Sequence, residues 1–463
     1  MNFATLLRDH ARANPDHIAL RARHAGWSWG ELDSLVDRAA AGLVASGAQK
    51  VAIQLPNTVE FVIALLGAMR AGLLAVPVNP GFTEREVRHV LDDSGAALLG
   101  EIPYAEPISL PDVPDDQVAL LLYTSGTEGR PKGAMLTHRA LIANHEQLAR
   151  VEPPLMTGAD VMLLALPLFH AYGLNTGLGA VLWHGATGVL EAEFDPVGTA
   201  GLIALNKVSV AIGVPPMYTA WAQLPNAREL LSSLRLAVCG AAALDPAVAA
   251  AFTAATGITV HIGYGLTETA PVLTSTVVSE AVKPGSIGKP LPGIELKLVN
   301  TFGEAAEDEP VFGEDDPGEI VVRGDNLFVG YWPDRRGGPD ADGWWGTGDV
   351  AYADADGDLF IVDRIGELIL VSGFNVYPAE VEQVLAAHPA VAEAAVLGAP
   401  DPKTGHTVHA FVIVSQPVDV AELERHCAAN LARFKCPTRI EIVSELPYSA
   451  TGKVRKTLLR EDS

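Results

Sequence analysis

The sequence predicts an α/β protein with a large N-terminal domain and a small α+β domain at the C-terminus. Up to about residue 285, short apolar runs alternate with helical periodicity, which is typical of mixed and parallel sheets flanked by helices. From Gly285 onward the chain is rich in Gly, Pro and acidic residues between short strand patterns, which indicates a barrel-like part. The composition changes again near residues 364–367, where a separate domain is predicted to begin.

The individual elements follow from these patterns. Residues 59–70 have helical periodicity between two buried-strand patterns, and another helix is predicted over residues 378–387. Strands are predicted over residues 50–56, 72–78, 161–169, 186–191, 234–240, 257–265 and 408–414. The N-terminal domain is thereby predicted over residues 1–364, with its barrel-like part at 285–364, and the C-terminal domain over 365–463.

Composition and charge exclude several classes of function. The chain has 463 residues and a formal net charge of −24, whereas a main role in nucleic-acid binding needs a concentrated basic surface. Three scattered cysteines without metal-ligand spacing, and an N-terminus without a cleavable apolar segment, predict a reduced, cytoplasmic setting. The apolar region 61–78 is interrupted by Arg70, so it predicts a buried helix and strand rather than a membrane span.

Residues 121–138, LLYTSGTEGRPKGAMLTH, predict a binding loop for a polyanion. The loop follows an apolar strand and combines small residues, which leave backbone N–H groups approachable, with hydroxyl donors and the cations Arg130 and Lys132. The chain lacks a Gly-Lys-Ser/Thr phosphate loop, and GYGLTE (263–268) has Glu where a dinucleotide fingerprint needs its third glycine. Nucleotide binding therefore requires a different arrangement.

Six further blocks of distinctive sequence occur in the chain. They are LPLFHAYG (166–173), CGAAALD (239–245), YGLTETAP (264–271), WWGTGDV (344–350), DRIGELILVSGFNVYPAEVE (363–382) and PYSATGKVRK (447–456). Together with the loop, and in the same order, they resemble the signatures of the acyl-adenylate-forming enzymes, the superfamily of acyl-CoA synthetases, peptide-synthetase adenylation domains and firefly luciferase. The resemblance covers nearly the whole chain.

The resemblance implies a two-step reaction that uses ATP, Mg²⁺ and CoA. A carboxylate attacks the α-phosphorus of ATP and releases pyrophosphate, and a thiol then attacks the resulting acyl-AMP. Two anions meet in the first step, so cations and oriented donors have to neutralise charge. We expect an acid–thiol ligase of the fatty-acid–CoA ligase type, whose small C-terminal domain is mobile.

The resemblance also implies which residues contact the phosphates and the metal. Lys132 is expected near the leaving pyrophosphate, Glu268 to bind Mg²⁺, and Thr267 to lie beside the α-phosphate. The remaining cradle is expected to consist of Thr124, Ser125, Gly126 and Thr127, with Thr124 also near the metal.

The nucleoside contacts implied by the resemblance come from three blocks. Asp349 is expected to accept hydrogen bonds from both ribose hydroxyls, with Arg364 supporting the ribose or the phosphate. The adenine is expected to lie among Gly240, Ala241, Tyr264 and Gly265, with the Tyr264 ring stacked on the base.

Four more positions complete the implied site. His170 is expected to close the acyl pocket on the phosphate side, and Lys453 to contact the carboxylate and an α-phosphate oxygen. Gly366 occupies the pivot of the C-terminal domain, where relatives carry Lys or Asp, and Gly373 leaves a narrow path for pantetheine. A local basic surface for CoA phosphates, or merely solvated charge, is formed by Arg433, Lys435, Arg439, Arg455 and Lys456.

The acid is expected to be an apolar monocarboxylic acid. His170 stands where amino-acid adenylation domains carry Asp, which argues against an α-amino acid. The expected pocket walls, residues 166–175, 213–218 and 261–270, carry no Arg or Lys, which disfavours a dicarboxylate. Because glycines at 173, 177, 263 and 265 leave room for a hydrocarbon chain, a medium- or long-chain fatty acid is preferred, with an aryl acid second.

Several alternatives stay open at this point. An acyl-AMP ligase that delivers to a carrier protein would carry an extra segment for which residues 270–289 are too short, so CoA is favoured. A non-catalytic AMP-binding relative is disfavoured by the intact Lys453, Glu268 and Asp349, and an oxygenase of the luciferase kind shares every motif. The expected partners are small molecules, without nucleic acid or an integral membrane span, and a homo-oligomer stays open.

Overall fold

The structure is a computed structural model that describes residues 1–110, 112–124, 131–299, 317–365, 369–371, 374–401, 403–448, 454 and 456–461. The described chain divides into two compact units. The first unit comprises residues 1–296 and 322–345, and the second unit comprises residues 297–321 and 346–463.

Helices flank the sheets of both units. Several begin where a side chain caps the first turn, as Ser28 and Glu31 do in a reciprocal capping box. The α-helices are α1 (Thr5–Ala13), α2 (Trp29–Ala45), α3 (Val59–Arg70), α4 (Glu84–Ser94), α5 (His138–Leu148), α6 (Ala180–His184), α7 (Pro196–Asn206), α8 (Pro215–Ala222), α9 (Ala227–Leu230), α10 (Pro246–Thr256), α11 (Pro378–Ala386), α12 (Val420–Asn430) and α13 (Lys456–Glu461). A π-helical segment (Tyr172–Gly179) and two 3₁₀ turns (Thr267–Thr269 and Thr276–Val278) complete the helical elements.

The strands form four sheets. They are β1 (Ile18–Ala22), β2 (Ala25–Ser28), β3 (Lys50–Ile53), β4 (Leu74–Pro77), β5 (Ala97–Leu98), β6 (Val118–Thr124), β7 (Lys132–Thr137), β8 (Val161–Leu164), β9 (Thr187–Leu190), β10 (Val210–Gly213), β11 (Leu236–Cys239), β12 (Val260–Gly265), β13 (Val272–Ser275), β14 (Lys289–Pro290), β15 (Glu295–Val299), β16 (Gly318–Arg323), β17 (Trp345–Ala353), β18 (Leu359–Arg364), β19 (Ile369–Val371), β20 (Phe374–Val376), β21 (Val391–Asp401), β22 (Gly405–Val414) and β23 (Arg439–Ile442).

Two sheets of the first unit carry the predicted site. The larger has nine strands in the order β14-β13-β12-β11-β10-β8-β9-β1-β2 and is parallel from β12 to β1, with antiparallel pairs at both edges. The smaller has the order β5-β3-β4-β6-β7 and is parallel except for the antiparallel pair of β6 and β7. The prediction of mixed and parallel sheets flanked by helices is confirmed.

The second unit contains most of a four-stranded sheet with the order β15-β16-β17-β18. It also contains a C-terminal sheet with the order β20-β19-β22-β21, in which β23 pairs with β22. The first corresponds to the predicted barrel-like part, and the second to the predicted α+β domain. The last segment of the second unit begins at Gly346, whereas the C-terminal domain is predicted to begin after residue 364. The difference arises because β18 pairs with β17 and packs on α11. The boundary at 364 stays a prediction.

The apolar region around α3 is buried, as expected. Eleven of the twelve α3 residues are buried, including Arg70, whose guanidinium contacts Asp33 at 2.6 Å and Asp37 at 2.9 Å. Burial of an arginine requires such partners, which is why the charge is tolerated inside an apolar helix. In the part of the chain that the structure describes, no helix has the length and apolarity needed to span a membrane.

Candidate active site

The two ends of the predicted phosphate loop meet on a β-hairpin. Thr124 closes β6 and pairs with Lys132, the first residue of β7, and its hydroxyl lies 3.5 Å from the Lys132 carbonyl. The next residue is Gly133, and a side chain is disfavoured there because a Cβ would lie 2.7 Å from the Leu121 side chain. The predicted cradle residues Ser125, Gly126 and Thr127 lie outside the described residues.

Glu268 lies on the 3₁₀ turn that follows β12. Its side chain is buried, and its Oε1 accepts a hydrogen bond of 2.7 Å from the Tyr331 hydroxyl. Its backbone carbonyl accepts a bond of 2.8 Å from the N–H of Phe328. A buried carboxylate is stable only when such donors compensate for lost water, so these contacts fix where Glu268 sits. Thr267, expected beside the α-phosphate, precedes it on the same turn.

Buried amide side chains hold the residues that follow Glu268. The amide of Asn326 donates to the Thr269 carbonyl at 2.7 Å, and the amide of Asn175 donates to the Ala270 carbonyl at 2.6 Å. The Asn144 amide donates to the Val272 carbonyl at 2.8 Å, and its oxygen accepts from the Val272 N–H at 3.1 Å. Gln147 in turn donates to the Asn326 side chain at 3.0 Å. Because the donors are buried, the turn has little freedom to move.

Residues 328–332, which we call the bridging segment, link β7 to the Glu268 turn. The segment runs beside β7 through hydrogen bonds from Val329 N–H to Met135 O (3.1 Å), from Met135 N–H to Gly330 O (3.1 Å) and from Trp332 N–H to Gly133 O (2.8 Å). Tyr331 on this segment contacts Glu268, and its ring centroid is 5.8 Å from the Lys132 ammonium. Tyr331 thus lies near both residues, with its hydroxyl bonded to Glu268 and its ring facing the Lys132 ammonium.

The sequence motifs did not reveal the bridging segment or the amide network. The only signal is the density of Asn, Gly and aromatic residues in GDNLFVGYW (324–332), without a spacing rule for any ligand.

The predicted adenine-side residues follow β11 and β12, which are adjacent and parallel. Gly240 is packed tightly, because a Cβ there would lie 3.0 Å from the Tyr172 ring, and Ala241 turns the chain with a left-handed φ of +65°. Gly265 allows close approach to the Pro271 carbonyl, which a Cβ would meet at 1.7 Å. Tyr264, half-buried on β12, is on the same strand. These residues share the carboxyl edge of the sheet, where α/β proteins bind ligands.

His170 lies between β8 and the π-helical segment. Its Nδ1 accepts a hydrogen bond of 3.2 Å from the Tyr172 N–H, and its carbonyl accepts one of 2.9 Å from Leu174. An accepting Nδ1 places the proton of a neutral imidazole on Nε2. His170 therefore has a defined tautomer and orientation at the edge predicted for the acyl pocket.

Asp349 and Arg364, the predicted ribose residues, are paired directly across β17 and β18 in the second unit. Arg364 Nε lies 2.6 Å from Asp349 Oδ1, and the Asp349 side chain is nearly buried whereas the Arg364 side chain is 40% exposed. The Asp349 N–H donates to the Thr347 hydroxyl, which donates to the Ile320 carbonyl. The charge-assisted bond orients the carboxylate that is expected to accept from the ribose.

Two predicted site residues in the C-terminal part, Lys453 and Gly373, lie outside the described residues, as does Gly366. Of the expected basic surface, three cations form ion pairs within the second unit: Lys435 with Glu380 (2.7 Å), Arg439 with Glu441 (2.8 Å) and Lys456 with Glu382 (2.8 Å). Arg433 is exposed, and Arg455 is outside the described residues. Binding of CoA phosphates by the paired cations would require exchange of these carboxylates.

Two of the glycines in the expected acyl-pocket walls are closely packed. A Cβ at Gly173 would lie 2.3 Å from the Pro167 carbonyl, and one at Gly177 would lie 3.2 Å from Leu164. Two buried tyrosines, Tyr172 and Tyr218, both donate to the Val238 carbonyl, at 3.1 and 2.8 Å. Close packing therefore accounts for Gly173 and Gly177, whereas a Cβ at Gly263 would make only an ordinary contact, 3.6 Å from the Val238 side chain.

The residues at the Glu268 turn fit a magnesium ion. Mg²⁺ prefers oxygen ligands and, in phosphoryl-transfer sites, takes one or two carboxylates with the rest of its shell from water and substrate phosphates. Glu268 offers a buried carboxylate held by a hydroxyl donor, and the Thr124 hydroxyl lies at the end of β6.

Comparison with known proteins agrees with this arrangement. Residues 7–107 and 101–332 match the family model of the AMP-binding enzymes, and residues 380–453 match that of the AMP-binding enzyme C-terminal domain. A feruloyl-CoA synthase from Amycolatopsis sp is 37% identical over 97% of this chain and 96% of its own length. A long-chain-fatty-acid–CoA ligase from Bacillus subtilis (strain 168) is 31% identical over 99% of this chain and 94% of its own length.

A solved structure with the same fold is the o-succinylbenzoate coenzyme A synthetase (MenE) from Bacillus subtilis in complex with ATP and magnesium ion. It matches with a TM-score of 0.85 and 30% identity, covering 98% of each chain. The family resemblance and the α/β fold predicted from the sequence are thereby confirmed. Because the family models and relatives above 30% identity span nearly its whole length, this chain belongs to the AMP-binding, adenylate-forming enzymes, a family of ATP-dependent acyl- and aryl-CoA ligases.

Proposed function

We propose that this chain is an AMP-forming acid–CoA ligase that activates an aromatic monocarboxylic acid with no charge besides its carboxylate. The acid's carboxylate oxygen attacks the α-phosphorus of ATP, the bond to pyrophosphate breaks, and acyl-AMP forms. The CoA thiol then attacks the acyl carbon, and AMP leaves with loss of the thiol proton to solvent. The observation that supports this most is that Lys132 and Glu268 both lie beside Tyr331, one at its ring face and the other at its hydroxyl.

Charged side chains of each unit suit the proposed reaction. Lys132 supplies a cation at the entrance of the phosphate loop, and the Asp349 carboxylate is oriented by Arg364 toward a hydroxyl-bearing ligand. A Mg²⁺ ion held by Glu268 would neutralise phosphate oxygens and so lower the barrier to attack by an anion. We propose Lys453 as the cation beside the reacting carboxylate, and His170 and Thr267 as further contacts to the acid and the α-phosphate.

An aromatic acid is favoured by the packing of the expected acyl walls. Tyr172 and Tyr218 place aromatic rings in two of the expected wall segments, 166–175 and 213–218, and planar rings are good partners for a planar aryl group. Gly173 and Gly177 are packed against Pro167 and Leu164, so these two glycines do not by themselves make room for a long hydrocarbon chain. Similarity to a feruloyl-CoA synthase supports the same class of substrate.

A medium- or long-chain fatty acid is the second candidate. It is supported by similarity to a long-chain-fatty-acid–CoA ligase over nearly the whole chain. For either acid, CoA is favoured over a carrier protein because the interval between Ala270 and Lys289 contains only β13 and one short 3₁₀ turn before β14. We expect the reaction to take place in the cytoplasm.

The test is a pyrophosphate-release assay with ferulate, benzoate, octanoate and palmitate, each with and without CoA. We expect release with ferulate and continuous turnover only when CoA is present, with kcat/KM for ferulate at least about tenfold above that for palmitate. Glu268→Gln should lower kcat/KM by about 10²-fold or more, because a ligand to the charge-neutralising ion is lost. The matched control Glu60→Gln changes an exposed glutamate and should leave kcat/KM unchanged.

The outcomes separate the parts of the proposal. A preference for palmitate would replace the aromatic acid with a fatty acid and leave the ligase reaction in place. Turnover that needs a carrier protein instead of CoA would replace the acceptor. Absence of pyrophosphate release with every acid would refute the ligase reaction.

A further inference from the structure

Tyr331 has an unusual position for a residue outside every predicted motif. It lies on the bridging segment, whose backbone is bonded to β7 on one side and to the Glu268 carbonyl on the other. Its own backbone is anchored by hydrogen bonds with residues 335 and 336, both 2.9 Å long. The main chain around Tyr331 is therefore held on three sides.

The side chain of Tyr331 contacts the elements expected to bind ATP. Its hydroxyl donates to Glu268 Oε1 at 2.7 Å, while the face of its ring lies 5.8 Å from the Lys132 ammonium. The Phe328 ring packs edge-on against it, with centroids 5.0 Å apart and an interplanar angle of 74°. A cation over the ring face and an acceptor at the hydroxyl are the two polar interactions that a tyrosine makes best.

We propose that Tyr331 is a positioning residue that orients the Glu268 carboxylate for the divalent cation bound with the phosphates of ATP. This inference rests on the proposed function, since it assigns Glu268 to that cation. Tyr331 itself touches neither the reacting acid nor the phosphates in this proposal; it acts through Glu268.

The physical basis is the geometry of a carboxylate. A carboxylate has two oxygens, so a hydrogen bond at Oε1 fixes the rotation of the group while a metal ion can be bound through the other oxygen. A neutral phenol donates this bond without adding a competing charge. Hydrogen-bond partners of metal ligands set their orientation, and losing one typically weakens metal binding by about 10- to 100-fold.

A role in packing alone makes a different prediction. The Tyr331 ring already packs against Phe328, and a phenylalanine would keep that contact while removing only the hydroxyl. If packing were the whole role, Tyr331→Phe would leave metal binding unchanged. The hydroxyl is therefore the atom to test.

The full-length protein is titrated with Mn²⁺ in the presence of α,β-methylene-ATP, which cannot transfer its adenylyl group, and bound Mn²⁺ is measured by electron paramagnetic resonance. We expect Tyr331→Phe to raise the Kd for Mn²⁺ by about 10- to 100-fold. The Mg²⁺ concentration for half-maximal pyrophosphate release should rise in parallel, while kcat at saturating Mg²⁺ stays near that of the wild type.

Trp332→Phe is the matched control. Trp332 is the neighbouring aromatic residue, and its indole N–H donates to the Asp93 carbonyl at 2.9 Å, so this variant also loses one hydrogen bond but none to Glu268. Its Kd for Mn²⁺ should equal that of the wild type.

Three results would overturn the inference. One is a Tyr331→Phe protein that binds Mn²⁺ like the wild type. Another is an equal loss of Mn²⁺ affinity in Tyr331→Phe and Trp332→Phe together with a lower melting temperature, which would assign Tyr331 to packing. A wild type that binds no Mn²⁺ with the nucleotide and releases no pyrophosphate would instead refute the proposed function on which the inference rests.

Discussion

At the scale of single residues, the carboxylate of Glu319 determines the shape of the turn that carries Asp349. Its Oε1 accepts a hydrogen bond of 3.0 Å from the Gly348 N–H, and a Cβ at Gly346 would lie 2.5 Å from the same oxygen. Burial raises the pKa of Glu319 above its usual 4.5, and the nearby charge of Asp349 raises it further, against the lowering effect of the Gly348 N–H. Glu319 therefore holds a proton more readily in the folded state than in the unfolded state.

This shift predicts a pH-dependent effect of Glu319→Gln. Because the folded pKa is raised, the stability contributed by Glu319 is fully present below pH 4.5 and is lost as the pH rises through the folded pKa. Glutamine keeps an acceptor for Gly348 but has no proton to lose. We therefore expect the stability of Glu319→Gln relative to the wild type, measured by urea unfolding, to increase between pH 4.5 and 7.5.

Glu295→Gln is the control for this titration. Hydrogen bonds from Arg323 lower the pKa of Glu295, so its ionisation takes place below pH 4.5 and its variant should keep a constant difference from the wild type across the same range. A constant difference for Glu319→Gln as well would contradict the prediction.

Only some of the site residues can be predicted from sequence patterns. Lys132, Glu268 and Asp349 occur in blocks whose order along the chain is distinctive, so the sequence alone predicts a role for each. Tyr331 and Glu319 act on those residues through space, from 63 positions away in the case of Tyr331, and no local spacing rule predicts such a contact. The pairing of Arg364 with Asp349 also depends on the β17–β18 register, although both residues are expected at the ribose.

At the scale of elements, local periodicity predicts the helix over 59–70 with the observed bounds, because α3 is long and apolar. Strand ends are predicted less well: residues 161–169 are expected to be extended, whereas β8 ends at Leu164. The N-terminal strands β1 and β2 are missed, since β1 is short and is stabilised by parallel pairing with the distant β9. The Gly-rich region before His184 contains the π-helical segment, a conformation that hydrophobic periodicity does not encode.

Asp160 links the amino ends of three neighbouring strands, β8, β10 and β11. It accepts hydrogen bonds from the Thr157 N–H (2.8 Å), from the Ser209 hydroxyl (2.7 Å) and from Arg235 (2.6 and 2.9 Å). Burial by itself would raise the pKa of Asp160, but the bonds from these donors outweigh it and lower the pKa to about 2. The carboxylate is thus better stabilised in the folded sheet than in the unfolded chain.

Asp160→Asn should therefore destabilise the sheet without affecting the reaction. The folded pKa of about 2 lies below the usual 3.8, so this stability is present above pH 3.8 and is lost as the pH falls towards 2. The shift corresponds to about 2 kcal/mol at pH 7. We expect urea unfolding of Asp160→Asn at pH 7 to show a loss of this size and kcat/KM to stay unchanged, because the candidate site is at the carboxyl ends of these strands. A large loss of kcat/KM at wild-type stability would contradict this.

At the scale of the whole molecule, the first unit contains two neutral histidines whose burial makes its stability depend on pH. His138 and His145 both lie on α5 and are almost fully buried. His138 Nδ1 accepts from the Phe3 N–H at 3.2 Å, which a protonated imidazole could not do, and His145 contacts Asn175 at 3.0 Å. Burial lowers the pKa of each histidine to about 4; the N-terminal ammonium also lowers that of His138, while Asp115 opposes the change.

The lowered pKa values of His138 and His145 predict that the protein loses stability in mild acid. Both folded pKa values lie below the usual 6.5, so the unfolded state binds more protons, and the stability is fully present above pH 6.5 and is lost as the pH falls towards 4. At pH 5 the loss is about 2 kcal/mol for each histidine. In urea unfolding followed at pH 7, 6 and 5, His138→Gln should therefore lose about 2 kcal/mol less than the wild type between pH 7 and 5. The control His24→Gln, at an exposed position, should follow the wild-type curve, and equal slopes for all three proteins would show that His138 is not the responsible group.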